Sequence, residues 1–201
     1  MADDDGDDRT EWWDNAYEEG ATPWETDRPQ PQVVALERAG DLGGRVLDVG
    51  CGTGIEAAHL ADAGHDVVGV DFSEPAIEGA RDRAGESVTF HVGDAVALPE
   101  LDLGRFDAVL DCGMLHALET DDRRAYTSGL ATVLGEGDRV FCLEFGPDAP
   151  ENAGPTPLSE RAMRRAFGDG WRVETHEPVP FETTFGVVPG ILGVVERASS
   201  E

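Results

Sequence analysis

Arg45-Val46-Leu47-Asp48-Val49-Gly50-Cys51-Gly52-Thr53-Gly54 is an apolar strand that runs into three glycines at alternate positions. An amphipathic helix pattern follows, with Ile55, Ala58, His59 and Leu60 in it. Glycine lets the chain turn sharply and lets a ligand approach the backbone with no Cβ in the way. The helix that starts next offers free N–H groups to a polar or anionic group. Together these features predict a strand–loop–helix nucleotide site, the first βα unit of a doubly wound α/β sheet.

Asp48 decides which nucleotide. A dinucleotide fingerprint reads G-x-G-x-x-G after a strand that is apolar so that it can be buried. Here the spacing is G-x-G-x-G, and a carboxylate stands two residues before the first glycine. A carboxylate is a poor neighbour for pyrophosphate and suits a cationic amino-acid moiety. The stretch resembles motif I of the class I S-adenosylmethionine-dependent methyltransferases, D/E-x-G-x-G-x-G, matched by Asp48, Gly50, Gly52 and Gly54. The resemblance implies a loop, Cys51 included, that holds S-adenosylmethionine and releases S-adenosylhomocysteine.

Further strand ends line up behind the first. Val67-Val68-Gly69-Val70-Asp71 is apolar and ends in an acid 17 residues after Gly54. A carboxylate there can accept both ribose hydroxyls, with Phe72 beside it. NAD enzymes carry an acid at similar spacing, so this residue alone does not separate the two cofactors. Ser73, before Glu74 and Pro75, is the expected helix cap. Val88-Thr89-Phe90-His91-Val92 leads into Gly93-Asp94-Ala95, and Phe106-Asp107-Ala108-Val109-Leu110 ends at Asp111. In the resembled family, Asp94 and Ala95 fall near the adenine amine, and Asp111 closes motif IV. The order of the motifs carries more weight than any one of them.

The βα rhythm continues. A helix is expected over Asp121–Leu134, a fifth strand over Arg139–Phe145, and a Pro/Gly-rich loop from Gly146 to Pro157. That loop follows a strand end on the ligand side, where it can cover a substrate. Ser159 caps a helix that runs to Phe167 and stops at Gly168, and Trp171–Thr175 and Ile191–Glu196 supply the last strands. The family architecture implied is a seven-stranded, mostly parallel, Rossmann-like sheet in the order 3-2-1-4-5-7-6, ending in an antiparallel hairpin.

Three of the four tryptophans fall within the 13 residues from Trp12 to Trp24. Aromatic rings at that density bury against something. The pattern W-x3-Y-x2-G-x-T-P-W from Trp13 through Tyr17 to Trp24, followed by Arg28-Pro29-Gln30-Pro31, resembles the N-terminal lid of the thiopurine, thiol, halide and tellurite methyltransferase group. Trp13 and Trp24 are therefore expected against the cofactor, and the same rings can pack the N-terminal helix while they cover the cleft. The division expected is an acidic disordered tail over 1–10, the aromatic lid over 11–32 and the methyltransferase domain over 33–198.

The chain of 201 residues carries a net charge of −27, and all 15 basic residues are arginine. Such a surface repels nucleic acid and anionic membrane, and suits concentrated salt, where the Debye length shrinks to about 3 Å at 1 M. The composition resembles that of proteins from extreme halophiles. The start, Met1-Ala2-Asp3-Asp4-Asp5, is unlike a signal peptide, and no apolar run approaches the roughly 20 residues of a membrane span. Cys51, Cys112 and Cys142 lie in or beside apolar strands and read as reduced core residues. A cytoplasmic monomer or homodimer without nucleic-acid or membrane partners is expected. No His/Cys spacing suggests a metal.

Methyl transfer from a sulfonium is an in-line displacement that rewards alignment and water exclusion. A thiol ionises almost unaided near neutral pH, and halide or anionic chalcogen species need no base. The acceptor expected is such a small soft nucleophile. His116, in Asp111-Cys112-Gly113-Met114-Leu115-His116, is the candidate proton acceptor, with Asp111 and Tyr17 behind it. O- or N-methylation of a small metabolite with His116 as base is the alternative within enzymes. A non-catalytic S-adenosylmethionine-binding protein and an NADH-dependent dehydrogenase are the rivals.

Overall fold

The apolar strand at 45–49 becomes β1 (Arg45–Val49), the centre of a seven-stranded sheet. In the computed structural model, residues 5–150, 152, 154 and 156–199 are described, with side chains from residue 10 onward. Around β1 stand β2 (Asp66–Asp71), β3 (Thr89–Val92), β4 (Phe106–Cys112), β5 (Leu134–Phe145), β6 (Trp171–Thr183) and β7 (Gly186–Arg197). The order is β3-β2-β1-β4-β5-β7-β6, as expected. β1 to β5 pair in parallel, and β7 runs antiparallel between β5 and β6.

Alternation along the strands builds two cores. Val46, Val67, Ala108 and Leu110 point to one face, where they meet α2 (Pro31–Ala39), α3 (Ile55–Asp62) and α4 (Glu74–Ala84). Leu47, Val49, Val70 and Val109 point to the other, under α5 (Thr120–Val133) and α6 (Glu160–Phe167). Burial on both faces explains why the central strands read as nearly unbroken apolar runs. Ser73 caps α4 by accepting from Ala76 N–H, and Ser159 caps α6 by accepting from Ala162 N–H.

α1 (Asp5–Glu19) takes in the second half of the stretch 1–10 expected as a tail; residues 1–4 lie outside the described residues. α2 begins at Pro31, two residues before the expected boundary at 33. The last strands run much further toward the hairpin tip than expected, because β6 is an edge strand. Pro178 and Pro180 are tolerated there, where a central strand would lose ladder hydrogen bonds. Among the described residues no helix is long and apolar enough to cross a membrane.

The chain order reverses between β1 and β4, so a crevice opens beyond the carboxyl ends of these strands. The loops after β1, β2, β3 and β4 all reach it, and α1 with the 20–30 segment lies over it.

Candidate active site

The glycine loop is shaped by what packs on it. Gly54 has φ +72°, and a Cβ there would fall 2.9 Å from the Phe90 ring and 3.0 Å from Ala80. It is a packing glycine at the start of α3 and does not line the cavity. Gly52 has φ +52°, and its open side is filled by the lid: a Cβ there would meet the Glu25 carboxylate and come within 3.0 Å of the Tyr17 hydroxyl. Glu25 Oε1 accepts the Thr53 N–H at 2.9 Å, and Oε2 takes the Thr53 hydroxyl. Arg83 of α4 holds the Thr53 carbonyl from the other side at 2.9 Å.

A single cavity of about 620 Å³ runs from this loop to the β6–β7 hairpin. One end is lined by Asp48, Gly50, Cys51, Gly52, Asp71, Phe72 and Asp94, roofed by Trp13, Tyr17 and Trp24. The two tryptophan rings meet edge to face at 4.8 Å, Trp13 reaches Phe72 at 6.4 Å, and Trp24 Nε1 donates to the Tyr17 hydroxyl at 3.2 Å. The other end is lined by Met114, His116, Phe145, Phe181, Phe185 and Val188, with Pro150, Asn152 and Gly154 of the 146–157 loop at the rim.

The glycine-loop end is rich in carboxylates with unequal work. Asp71 Oδ2 accepts the Gly52 N–H and Oδ1 the Ser73 N–H, both at 3.0 Å, which leaves one lone pair on each oxygen for a further donor. Burial raises its pKa to about 6 against the pull of those two N–H groups. Asp48 is buried, and its Oδ2 has no hydrogen-bond partner. Burial first, then the charges of Glu56 and Asp71, push its pKa well up. An orphaned buried carboxylate oxygen is costly, and it fits a site built for an ammonium group. Asp94 caps the turn after β3 by accepting the Val96 N–H at 2.8 Å. Tyr17 is held protonated by burial and by the Asp71 and Glu25 carboxylates, so it can donate a hydrogen bond but not take a proton at neutral pH.

Two further expected site residues stand outside the cavity. Ala95 turns inward and packs in the core under α5. Asp111 is in register with Val49, not with Asp48, so it points to the opposite face of the sheet. There Oδ1 accepts Met114 N–H at 2.9 Å and Leu115 N–H at 3.2 Å, while Oδ2 takes the Tyr126 hydroxyl at 2.7 Å. It shapes the loop that presents His116. Asp111, Cys142 and Glu144 come within 4.8 Å of one another, all buried.

His116 faces the hairpin end of the cavity. Its ring stacks on Phe145 at 4.6 Å and meets the edge of Phe181 at 6.1 Å. Burial lowers its pKa to about 4, so the imidazole is neutral at physiological pH. Phe145 N–H donates to Nδ1 at 3.0 Å, which assigns the ring proton to Nε2, on the Gly113 side. Glu144 Oε2 lies 2.7 Å from the same Nδ1 and accepts the His116 main-chain N–H at 3.1 Å. Burial raises Glu144 to about 7 and Asp111 well above its usual range, so this buried pair keeps a proton. With Nδ1 unprotonated, the 2.7 Å contact is a hydrogen bond only with that proton on Glu144 Oε2, and with His116 neutral it is not an ion pair.

Sequence reasoning missed Glu25, Glu56, Gln30 and the aromatic wall of Phe145, Phe181 and Phe185. Glu25 directly follows Trp24, and Glu56 sits in the first turn after the glycines, so proximity to the motifs was a usable signal. Of the phenylalanines, Phe145 stood at an expected strand end, whereas Phe181 and Phe185 had no motif beside them.

The model of the family described as thiopurine S-methyltransferase matches residues 8–183. The chain belongs to the thiopurine S-methyltransferase family. A 2-heptyl-1-hydroxyquinolin-4(1H)-one methyltransferase from Mycobacteroides abscessus is 33% identical over 162 residues, covering 78% of this chain and 71% of that protein. A probable thiol methyltransferase 2 from Arabidopsis thaliana is 28% identical over 153 residues, 73% of this chain and 67% of that one. A solved structure, described as the conversion of a disulfide bond into a thioacetal group during echinomycin biosynthesis, superposes with a TM-score of 0.85 at 33% identity, covering 96% of this chain and 94% of that one. The protein is an S-adenosylmethionine-dependent methyltransferase that acts on small molecules.

Proposed function

We propose that the acceptor is a small soft nucleophile, foremost a thiol, carried on an apolar or aromatic body. The observation that supports this most is the position of His116, a neutral imidazole between Phe145 and Phe181 with its proton on Nε2. In that tautomer it donates to an acceptor that is already anionic. A thiol near pKa 8.5 supplies a useful fraction of thiolate at neutral pH without a strong base.

S-adenosylmethionine supplies an activated methyl group on a sulfonium. Asp48 would hold its ammonium group, Asp71 the ribose hydroxyls and Asp94 the adenine edge, along the loop of Gly50, Cys51 and Gly52. Trp13, Trp24 and Phe72 exclude water above it, which strengthens every charge interaction beneath. His116 orients the acceptor, and Phe145 with Phe181 sets the plane in which it lies. The strongly acidic composition supports a salt-rich cytoplasm as the setting.

O- or N-methylation with His116 as base is the second reading, favoured by the 2.7 Å approach of Glu144 to Nδ1. It requires the proton to move from Nε2 to Nδ1. Calorimetry in molar KCl with S-adenosylmethionine, S-adenosylhomocysteine and NADH, followed by an acceptor panel of aromatic thiols, phenols, heterocyclic amines, iodide and tellurite, tests both readings. Turnover confined to phenols or amines would replace the first by the second. NADH binding would overturn both.

A further inference from the structure

We propose that Gln30 is a positioning residue that couples the cofactor end of the cavity to its acceptor end. The inference rests on the assignment of the two ends given above. Gln30 is 2% exposed and sits where the lid joins α2. Its main-chain N–H donates to Glu56 Oε1 at 3.1 Å, one turn beyond the glycine loop. Its side-chain amide grips one residue of β6 by both main-chain groups: Nε2 donates to the Glu182 carbonyl at 2.8 Å, and Oε1 accepts the Glu182 N–H at 3.0 Å. The amide thus stands in for a neighbouring strand at the edge of the sheet. Glu182 lies between Phe181 and Thr183, both on the acceptor wall.

Three observations make this a strut and not a casual contact. Gln30 is flanked by Pro29 and Pro31, and its φ of −58° and ψ of 135° are those a residue before proline prefers, so the backbone has little slack. All its polar groups on the path are paired, at one end to the helix that follows the glycine loop and at the other to the hairpin. The other tie to the same residue, Arg28 to Glu182 at 2.9 Å, has its guanidinium 67% exposed and screened by solvent. A cofactor that settles the lid and α3 therefore settles β6 through Gln30, with the Thr184 N–H to Pro23 carbonyl bond at 2.9 Å as a second tie at the turn, and the acceptor wall is completed only after the cofactor is in place.

The test is hydrogen exchange read with S-adenosylhomocysteine, which needs no acceptor. In the wild-type protein, the nucleoside should slow exchange at least about tenfold both in peptides over residues 50–56 and in peptides over 184–190. In Gln30→Ala, the first protection should persist and the second fall at least about threefold, with the acceptor KM raised about tenfold and the S-adenosylhomocysteine Kd changed less than about twofold. Gln30→Glu keeps the acceptor half of the clamp and provides a folded intermediate case, with partial hairpin protection. Arg28→Ala should behave as wild type. Equal hairpin protection in wild type and Gln30→Ala overturns the proposal, as does a wild-type hairpin that does not respond while the glycine loop does. If neither segment responds in the wild type, the cofactor assignment itself fails and takes the proposal with it.

Discussion

Glu25 of the lid accepts the main-chain N–H of Thr53 at 2.9 Å, so a carboxylate from outside the sheet caps the glycine loop at the start of α3. A helix N-terminus favours negative charge, and a hydrogen bond with an ionised partner contributes more than a neutral one. Glu25→Gln should retain the contact but lose the charge, and Glu25→Ala should lose both. The expected order of S-adenosylmethionine affinity is wild type, then Gln, then Ala, with the Ala variant weakened about tenfold, or about 1.4 kcal/mol. Calorimetry checks it; an unchanged affinity in Glu25→Ala would remove the lid from cofactor binding.

The buried acids set a pH dependence with a definite sign. Glu56 and Glu144 are raised to about 7 and Asp71 to about 6, each chiefly by burial. A carboxyl raised on folding binds its proton more tightly in the native state, so stability falls as pH rises between the unfolded and folded values. The melting temperature of the free protein should drop from about pH 5 to about pH 7.5 and level off above. Binding of the sulfonium cation should favour the ionised acids at the cofactor end, release protons, and tighten as pH rises through 6 to 7. Calorimetry in buffers of different ionisation enthalpy counts those protons, and proton uptake on binding would contradict the account.

His116 separates the two acceptor readings. If it donates from Nε2 to a thiolate, His116→Gln should cost kcat less than about tenfold, because the amide still donates. If it acts as a general base, the loss should reach the 10²- to 10⁴-fold range of that role. Comparing kcat for an aromatic thiol and a phenol of similar shape decides between them.

Salt should stabilise this chain. With a net charge of −27, repulsion among surface carboxylates opposes the folded state and is screened within about 3 Å at 1 M salt. Raising KCl from 0.1 to 2 M should lift the melting temperature by at least about 5 °C, corresponding to roughly 2 kcal/mol for a chain of this size. A flat profile would remove the argument for a high-salt setting.

The parts legible in the sequence were those in which backbone geometry demands a residue type. The glycines after β1 and the acids at the ends of β1 and β2 announce themselves, because a close approach or a strand end leaves few substitutes. The strand order followed from the family resemblance that those motifs carry. Asp111 shows the limit: a strand-end acid looks the same from either face, and only the register of β4 on β1 places it beside Val49 and away from the cavity. The hairpin shows another. Pro178 and Pro180 read as breakers, yet the edge strand β6 accommodates them, and Phe181 travels with them into the site, with Phe185 in the turn that follows. The partners of His116 were hidden for a third reason, since Glu144 and Phe145 lie 28 and 29 residues further along the chain.

The prolines on β6 guard against association as well. Glu182 and Thr184 turn their N–H groups outward, the first to Gln30 and the second to the Pro23 carbonyl at 2.9 Å. Residues two apart on a strand turn the same way, so Pro178 and Pro180 occupy the preceding outward positions and bring no N–H at all. The rim therefore presents only a short run of donors to a neighbouring chain. That is too little to seed strand addition, so the edge of the sheet that borders the site is guarded against polymerisation in a crowded cell.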